Sequence, residues 1–175
     1  MVHQIVKYLN NPVLERPSAT VTEFDTPELH TLLEDMFETM YAAHGVGLAA
    51  PQIDIPKRIT VIDVSAAEEQ PRDPERIVLI NPEVIAKEGR QTGEEGCLSI
   101  PGFREPVTRA RKSTVRAQNA KGEWFEVSGE DLLSRAFQHE IDHLNGILFI
   151  NHLSALKRDL IKRKIRKLQK AGEWE

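Results

Sequence analysis

The most informative segment of the sequence is "FQHEIDHLNG", residues 137–146. On an α-helix His139 and His143 lie one turn apart on the same side, so both imidazoles can bind one metal ion. Glu140, about 100° round the helix from His139, can then reach a water on that ion. The alternative is two half-buried histidines beside a solvated glutamate. The apolar face around the pair favours the metal site.

The helix that carries this pair is predicted to run from about Ser128 to Asn145. Ser128 and Asp131 stand in capping-box register, and Gly146 is placed to end the helix. One face consists of Leu132, Leu133, Ala136, Phe137, Glu140, Ile141 and Leu144. Every member of that face except Glu140 is apolar, and an ionisable side chain in a buried stripe is costly unless it has a role.

Two further helices and four strands are predicted on either side of this segment. Thr26 as cap and Pro27 as first residue predict an N-terminal helix over 26–43, and a narrow apolar stripe predicts a C-terminal one over 154–171. Short β-branched runs predict strands at 59–64, 77–80, 113–117 and 124–127. The sequence therefore predicts an α+β fold, with short, mostly antiparallel strands around a central HExxH helix, an N-terminal helix and a C-terminal basic helix.

Length and composition fit one compact domain, since the chain has 175 residues and is 40% hydrophobic. We expect residues 1–153 to form a catalytic metallohydrolase domain and 154–175 to form a basic helix extending from it. The sequence has no charged and apolar leader and no run long enough for a bilayer, so we expect no membrane contact. The single cysteine, Cys97, cannot form an internal disulfide, and a cytoplasmic protein is expected.

Positive charge is concentrated near the C-terminus. Residues 154–171 carry eight Lys or Arg against Asp159, a charge of +7, so the rest of a chain with net charge −4 carries −11. This pattern suggests that the last helix meets a polyanion, the alternative being a solvated helix face. An overall acidic chain lacks the broad positive surface of a nucleic-acid-binding protein.

The third metal ligand is not found downstream of the histidine pair. Where the extended HExxHxxGxxH pattern has its last histidine, the chain has Phe149, and His152 fits a surface residue better. The later acids are Asp159, Glu173 and Glu175, which lie in a basic helix or the tail. Upstream, "EEGCLSIPG" (94–102) contains Cys97. A lone cysteine is more often packing, but a thiolate with two imidazoles and an open position makes a catalytic site.

Three motifs together resemble those of the peptide deformylase family. They are "GVGLAAPQ" (45–52), "EGCLSIP" (95–101) and "QHEIDHLNG" (138–146), and the similarity extends to "NPVL" (11–14) and the C-terminal helix. The first motif also satisfies the GxGxxA dinucleotide fingerprint, which requires a preceding strand and a following helix. Here a predicted helix precedes it, so we expect no dinucleotide.

The resemblance implies a metal-dependent hydrolase that removes the N-formyl group from the N-terminal formylmethionine of nascent peptides and releases formate. It implies Cys97, His139 and His143 as metal ligands. It also implies one divalent ion per chain, expected to be Fe²⁺, with Zn²⁺, Ni²⁺ or Co²⁺ as replacements. The ligand types alone do not separate iron from zinc.

The resemblance also assigns roles around the ion. Glu140 would be the general base, and the Gln52 amide and the Leu98 backbone N–H would stabilise the oxyanion. The main chains at Val46 and Gly96 would hold the peptide like an added strand.

Gly47 would give that peptide clearance, and Leu132 would line the methionine pocket. Arg135 stands where relatives can have an aliphatic residue, so the pocket is not carried over there. Glu95 is expected to pair with Arg104 if the two are not simply solvated. Trp174 is expected in a loose terminus.

Two other functions are compatible with parts of this pattern. An HExxH endopeptidase would cleave internal peptide bonds, and a ribosome-binding protein would use its metal only structurally. We expect a monomeric enzyme whose last helix docks on the ribosome, as in family members with such an extension.

Overall fold

The computed structural model describes residues 1–67 and 74–174. This part of the chain contains three α-helices and seven β-strands, connected by loops and short 3₁₀-helices. In chain order they are α1 (Pro27–Ala42), β1 (Gly47–Ala49), β2 (Ile59–Ile62), β3 (Ile77–Glu88), β4 (Gln91–Cys97), β5 (Ile100–Arg109), β6 (Lys112–Gln118), β7 (Trp124–Glu130), α2 (Asp131–Leu144) and α3 (Ala155–Lys170). The α+β class with mostly antiparallel strands is confirmed.

The strands form two antiparallel sheets. The larger has the order β1-β2-β3-β6-β7, and the smaller pairs β4 with β5. β1 is an edge strand of the larger sheet, and β4 has an open edge on the side away from β5. Leu98 and Ser99 form the turn between β4 and β5, since Cys97 pairs with Ile100 across it. Cys97 is therefore held at the end of a hairpin.

Helix α2 packs on the larger sheet through its apolar face. Phe137 and Ile141 share a buried cluster with Ile62, Leu79 and Val115. This packing fixes the position of α2 on the strands. The histidine pair, on the opposite side of the helix, is thereby fixed as well. Thr26 caps α1 as predicted, because its Oγ1 accepts from the Leu29 N–H at 3.1 Å.

Helix α3 completes the core around the cysteine hairpin. Ile161 and Ile165 are buried in the same cluster as Cys97 and Ile100. Trp174 also belongs to this cluster and is only 4% exposed. Its Nε1 donates to the backbone oxygen of Tyr8 at 2.7 Å. The expectation of a loose terminus at Trp174 is wrong, because the indole fills this cluster and its N–H has a partner.

The N-terminus of α2 differs from the prediction. The segment Ser128–Glu130 continues β7, and Ser128 pairs with Thr114 of β6. The helix begins at Asp131, whose φ of 53° turns the chain sharply out of the strand. The predicted capping box between Ser128 and Asp131 is therefore wrong: Ser128 Oγ bonds Thr114 Oγ1 at 2.7 Å across the strands instead.

The predicted strands cover only part of the two sheets. β3 continues to Glu88, eight residues beyond its predicted end, and β1, β4 and β5 lie outside the four predicted strands. β1 has three residues, and β4 reads "QTGEEGC", so neither shows the β-branched alternation that marks a strand. Among the described helices, none combines the length and apolar character required to cross a membrane.

Candidate metal centre and active site

Three potential metal ligands converge between β4 and α2. Cys97 Sγ lies 3.3 Å from His143 Nε2, and the two histidine Nε2 atoms lie 3.1 Å apart. All three donor atoms are within 4.8 Å of one another. The helix aligns the histidines at positions i and i+4, and the hairpin brings Cys97 to them although His143 lies 46 residues further along the chain.

Glu95 orients the first of these histidines. Its Oε2 accepts from His139 Nδ1 at 2.8 Å, so Nδ1 carries a proton and Nε2, which faces Cys97 and His143, is the nitrogen that a metal ion could bind. Glu95 is itself held by Arg109, at 2.7 Å, and by Arg135, at 2.9 Å.

The expected pairing of Glu95 with Arg104 is wrong. Glu95 is 5% exposed and points inward to two buried guanidinium groups. Arg104 is solvent-exposed and lies 3.8 Å from the neighbouring carboxylate of Glu94. Adjacent residues in a strand point to opposite faces of the sheet. Arg104, which lies beside Glu94, therefore cannot also pair with Glu95.

The electrostatics of the three ligands favour a cation. Burial raises the pKa of the Cys97 thiol, but the charge of His143 and hydrogen bonds from both histidines outweigh it and lower the pKa to about 5. Burial opposes protonation of His139, but hydrogen bonds to Cys97 and Glu95 and the charge of Glu140 raise its pKa. A thiolate and two imidazole nitrogens directed at one point suit a divalent transition-metal ion, which would replace the proton that these groups hold between them.

Glu140 lies beside these ligands and is buried. Its Oε1 is 3.7 Å from His139 Nε2, and its Oε2 is 3.4 Å from the Thr60 hydroxyl. Burial raises the pKa of the Glu140 carboxyl, while the charges of His139 and His143 act in the opposite direction. A carboxylate whose pKa is raised above its ordinary value is suited to accept and return a proton.

Gln52 is buried, and its amide is fixed in one orientation. Its Oε1 accepts from the Ala49 N–H at 2.9 Å, which directs Nε2 toward Cys97 Sγ at 3.5 Å and Ser99 Oγ at 3.2 Å. Leu98 follows Cys97 directly at the hairpin turn. Gln52, Cys97 and Leu98 therefore line one cavity with His139 and Glu140.

That cavity has a volume of about 770 Å³ and lies between the open edges of β1 and β4. Val46, Gly47 and Gly96 line it. The Val46 carbonyl accepts from the Asp63 N–H at 2.8 Å, while its own N–H has no partner within residues 1–67 and 74–174 and could meet a ligand. Gly47 also provides clearance for Glu140, since a Cβ there would lie 2.9 Å from Glu140 Cγ; its clearance for a peptide stays a prediction.

Sequence reasoning misses the polar residues behind the ligands. It assigns no role to Arg109, Arg135 or Thr60, and it gives Glu95 the wrong partner. Arg109 also pairs with Asp142 at 2.7 Å, so a buried chain of charges joins β4, β5 and α2. The sequence does contain one signal for Arg135: it lies four residues before His139, so the two side chains share a face of the helix.

Comparisons with known proteins agree with one another. The family model described as polypeptide deformylase matches residues 2–159. A peptide deformylase of Acidobacterium capsulatum is 64% identical over 174 residues, covering 99% of both chains. The crystal structure of a peptide deformylase from Legionella pneumophila superposes with a TM-score of 0.87 at 43% identity, over 100% of this chain and 99% of that one.

The crystal structure of peptide deformylase from Thermus thermophilus superposes with a TM-score of 0.84 at 40% identity, over 95% of each chain. These matches cover nearly the whole sequence, including all three motifs and the elements that position them. The chain belongs to the polypeptide deformylase family.

Proposed function

We propose that the chain is a metal-dependent hydrolase that removes the formyl group from the N-terminal formylmethionine of nascent peptides. The products are formate and a free amine. The observation that carries this proposal is the convergence of Cys97, His139 and His143 beside the buried carboxylate of Glu140. A cavity that opens between two strand edges leaves room for an extended peptide.

Cys97, His139 and His143 would hold one divalent cation, for which Fe²⁺ is our first expectation and Zn²⁺, Ni²⁺ or Co²⁺ are replacements. When bound, such an ion would act as a Lewis acid and make water acidic enough to lose a proton near neutral pH. Glu95 would keep His139 in the tautomer that presents Nε2.

Glu140 would accept the proton of the attacking water and return it to the leaving nitrogen. An amine leaves poorly without that proton, so one carboxylate would serve both halves of the reaction. The Gln52 amide and the Leu98 backbone N–H would donate to the oxygen that gains negative charge. Loss of one such donor costs about 10²- to 10³-fold in rate.

The peptide would bind as an added strand between β1 and β4. The N–H of Val46 and the main chain of Gly96 would make its hydrogen bonds, and Leu132 would contact the first side chain. Gly47 would keep this wall free of side-chain atoms. The HExxH helix α2 would thus be the central element of the catalytic part of the chain, residues 1–153, whose core α3 completes.

The test is formate release from a formyl-Met tripeptide by metal-replete protein, compared with Glu140→Gln. We expect the variant to lose about 10²- to 10⁴-fold in kcat/KM while it retains its metal by elemental analysis. Equal rates in both proteins would defeat the assigned base. Cleavage of internal bonds in a blocked peptide, without formate release, would support the endopeptidase instead.

We further propose that α3 docks this monomeric, cytoplasmic enzyme on the ribosome. Six basic side chains of α3 are solvent-exposed: Lys157, Arg163, Lys164, Arg166, Lys167 and Lys170. Such a surface suits the phosphates of ribosomal RNA. Deleting 154–175 is a poor test, because Ile161 and Ile165 pack in the cluster of Cys97.

Charge reversal tests the docking without opening the core. Glu at 163, 164 and 167 should weaken ribosome co-sedimentation, with turnover of a formyl tripeptide unchanged. A matched variant with Glu at exposed positions 87, 90 and 121 makes the same change in net charge elsewhere. Equal co-sedimentation of the two variants would defeat the docking proposal.

A further inference from the structure

Arg135 presents unused hydrogen-bond donors to the catalytic cavity. The residue is 8% exposed, and its Nη1 donates to Glu95 Oε1 at 2.9 Å and to the Val107 carbonyl at 3.0 Å. Within residues 1–67 and 74–174, Nε and Nη2 have no hydrogen-bond partner. In those residues, the side-chain polar atoms that are both inaccessible to solvent and without a hydrogen-bond partner are Ser18 Oγ and His143 Nδ1. No atom of Arg135 is among them. Its remaining N–H groups are therefore not sealed in the interior: Nη2 lies beside Gly93, 3.5 Å from where a Cβ would stand, and Arg135 itself lines the catalytic cavity.

The position of Arg135 on α2 matches the reach of a substrate's first side chain. A helix rises about 1.5 Å per residue, so Arg135 lies about 6 Å along α2 from the ligand His139. An extended methionine side chain places its sulfur roughly as far from the formyl carbon. Leu132 and Ala136 line the same side of the cavity and supply an apolar wall beside the guanidinium.

Charge at this end of the cavity favours a neutral acceptor over an anion. The Glu95 and Asp142 carboxylates balance the Arg109 and Arg135 guanidinium groups. A carboxylate in the substrate would add negative charge close to Glu95, and it would find no cation there that is not already paired. A thioether sulfur is a weak acceptor, whereas a sulfoxide oxygen is a strong one without net charge.

We propose that Arg135 determines specificity for the first residue and allows the chain to deformylate peptides that begin with formyl-methionine sulfoxide. This inference rests on the proposed deformylase function. The guanidinium donates to the sulfoxide oxygen, while Leu132 and Ala136 contact the methylene groups. Nascent chains whose first methionine has been oxidised at sulfur thus remain substrates.

The test compares kcat/KM for formate release from tripeptides that differ only in the first residue, which is formyl-norleucine, formyl-methionine or formyl-methionine sulfoxide. Norleucine has the shape of methionine with no acceptor. In Arg135→Leu the ratio of sulfoxide to norleucine should fall about 10- to 100-fold, the loss expected for one hydrogen bond from a charged donor. Arg104→Leu, which removes an exposed guanidinium from the same cavity, should leave the ratio unchanged.

The ratio separates this role from a structural one, because a disturbed Glu95 or His139 would lower turnover of all three peptides equally. Arg135→Met keeps a long unbranched side chain without a donor and is the second variant if Arg135→Leu does not fold; its ratio should fall as well. A ratio equal to that of the wild type in the folded variants overturns the inference. Absence of formate from formyl-methionine and formyl-norleucine alike would overturn the deformylase function itself.

Discussion

Replacing Gly47 by alanine should disable the proposed general base without removing the metal site. A Cβ at this position would lie 2.9 Å from Glu140 Cγ and 3.0 Å from Glu140 Oε1. Ordinary carbon contacts are about 3.5 Å or longer, so Glu140 must move by about 0.5 to 1 Å. Gly47 does not have a positive φ, so the substitution acts through this contact rather than through backbone strain.

A displacement of about 1 Å in a catalytic group can cost about 10²-fold in rate, and overpacking a buried site costs about 1–3 kcal/mol. We therefore expect kcat/KM for a formyl-Met tripeptide to fall about 100-fold in Gly47→Ala, with one metal ion per chain retained and a lower unfolding temperature. Gly93→Ala is the control, because its Cβ would meet Arg135 Nη2 at an ordinary 3.5 Å. Wild-type kcat/KM in Gly47→Ala, or an equal loss in Gly93→Ala, would refute the steric reasoning.

Glu95→Gln should weaken metal binding about 10- to 100-fold in a chelator competition, because His139 loses its charged partner. Glu94→Gln, which changes an exposed carboxylate, should leave the metal affinity unchanged. Trp174→Ala should lower the free energy of unfolding by about 3–5 kcal/mol in urea melts, because the indole is buried. Trp124 on β7 is half-exposed, so a similar loss in Trp124→Ala would contradict this explanation. Chelation should abolish formate release, and Fe²⁺, Zn²⁺, Ni²⁺ or Co²⁺ should restore it; full activity in metal-free protein would refute the metal requirement.

The sequence predicts the structure well where helical periodicity alone determines which residues lie on the same face. The i, i+4 spacing of His139 and His143 fixes their relation on a helix, and the capping pattern at Thr26 located the start of α1 closely. The boundary at Asp131 failed because a capping signal at Ser128 competed with cross-strand pairing to Thr114, which only the tertiary structure reveals.

The supporting charges of the site could not be predicted from local patterns. Several arginines stand near Glu95 in the sequence, and nothing local tells which of them is buried. The outcome depends on hairpin register, which places Arg109 on the inner face with Glu95 and leaves Arg104 in solvent, and on the packing of α2, which brings Arg135 to the same carboxylate. Burial of Trp174 likewise depends on contacts with Tyr8 at the other end of the chain.

The open edges of β1 and β4 bear on how many different proteins one such enzyme can serve. A strand edge offers N–H and C=O groups, which every amino acid can meet with its own main chain except proline, which has no N–H. If the substrate binds there, the enzyme tolerates nearly any residue after the first and disfavours proline. A catalyst of general maturation needs that indifference to downstream sequence, and a backbone clamp supplies it.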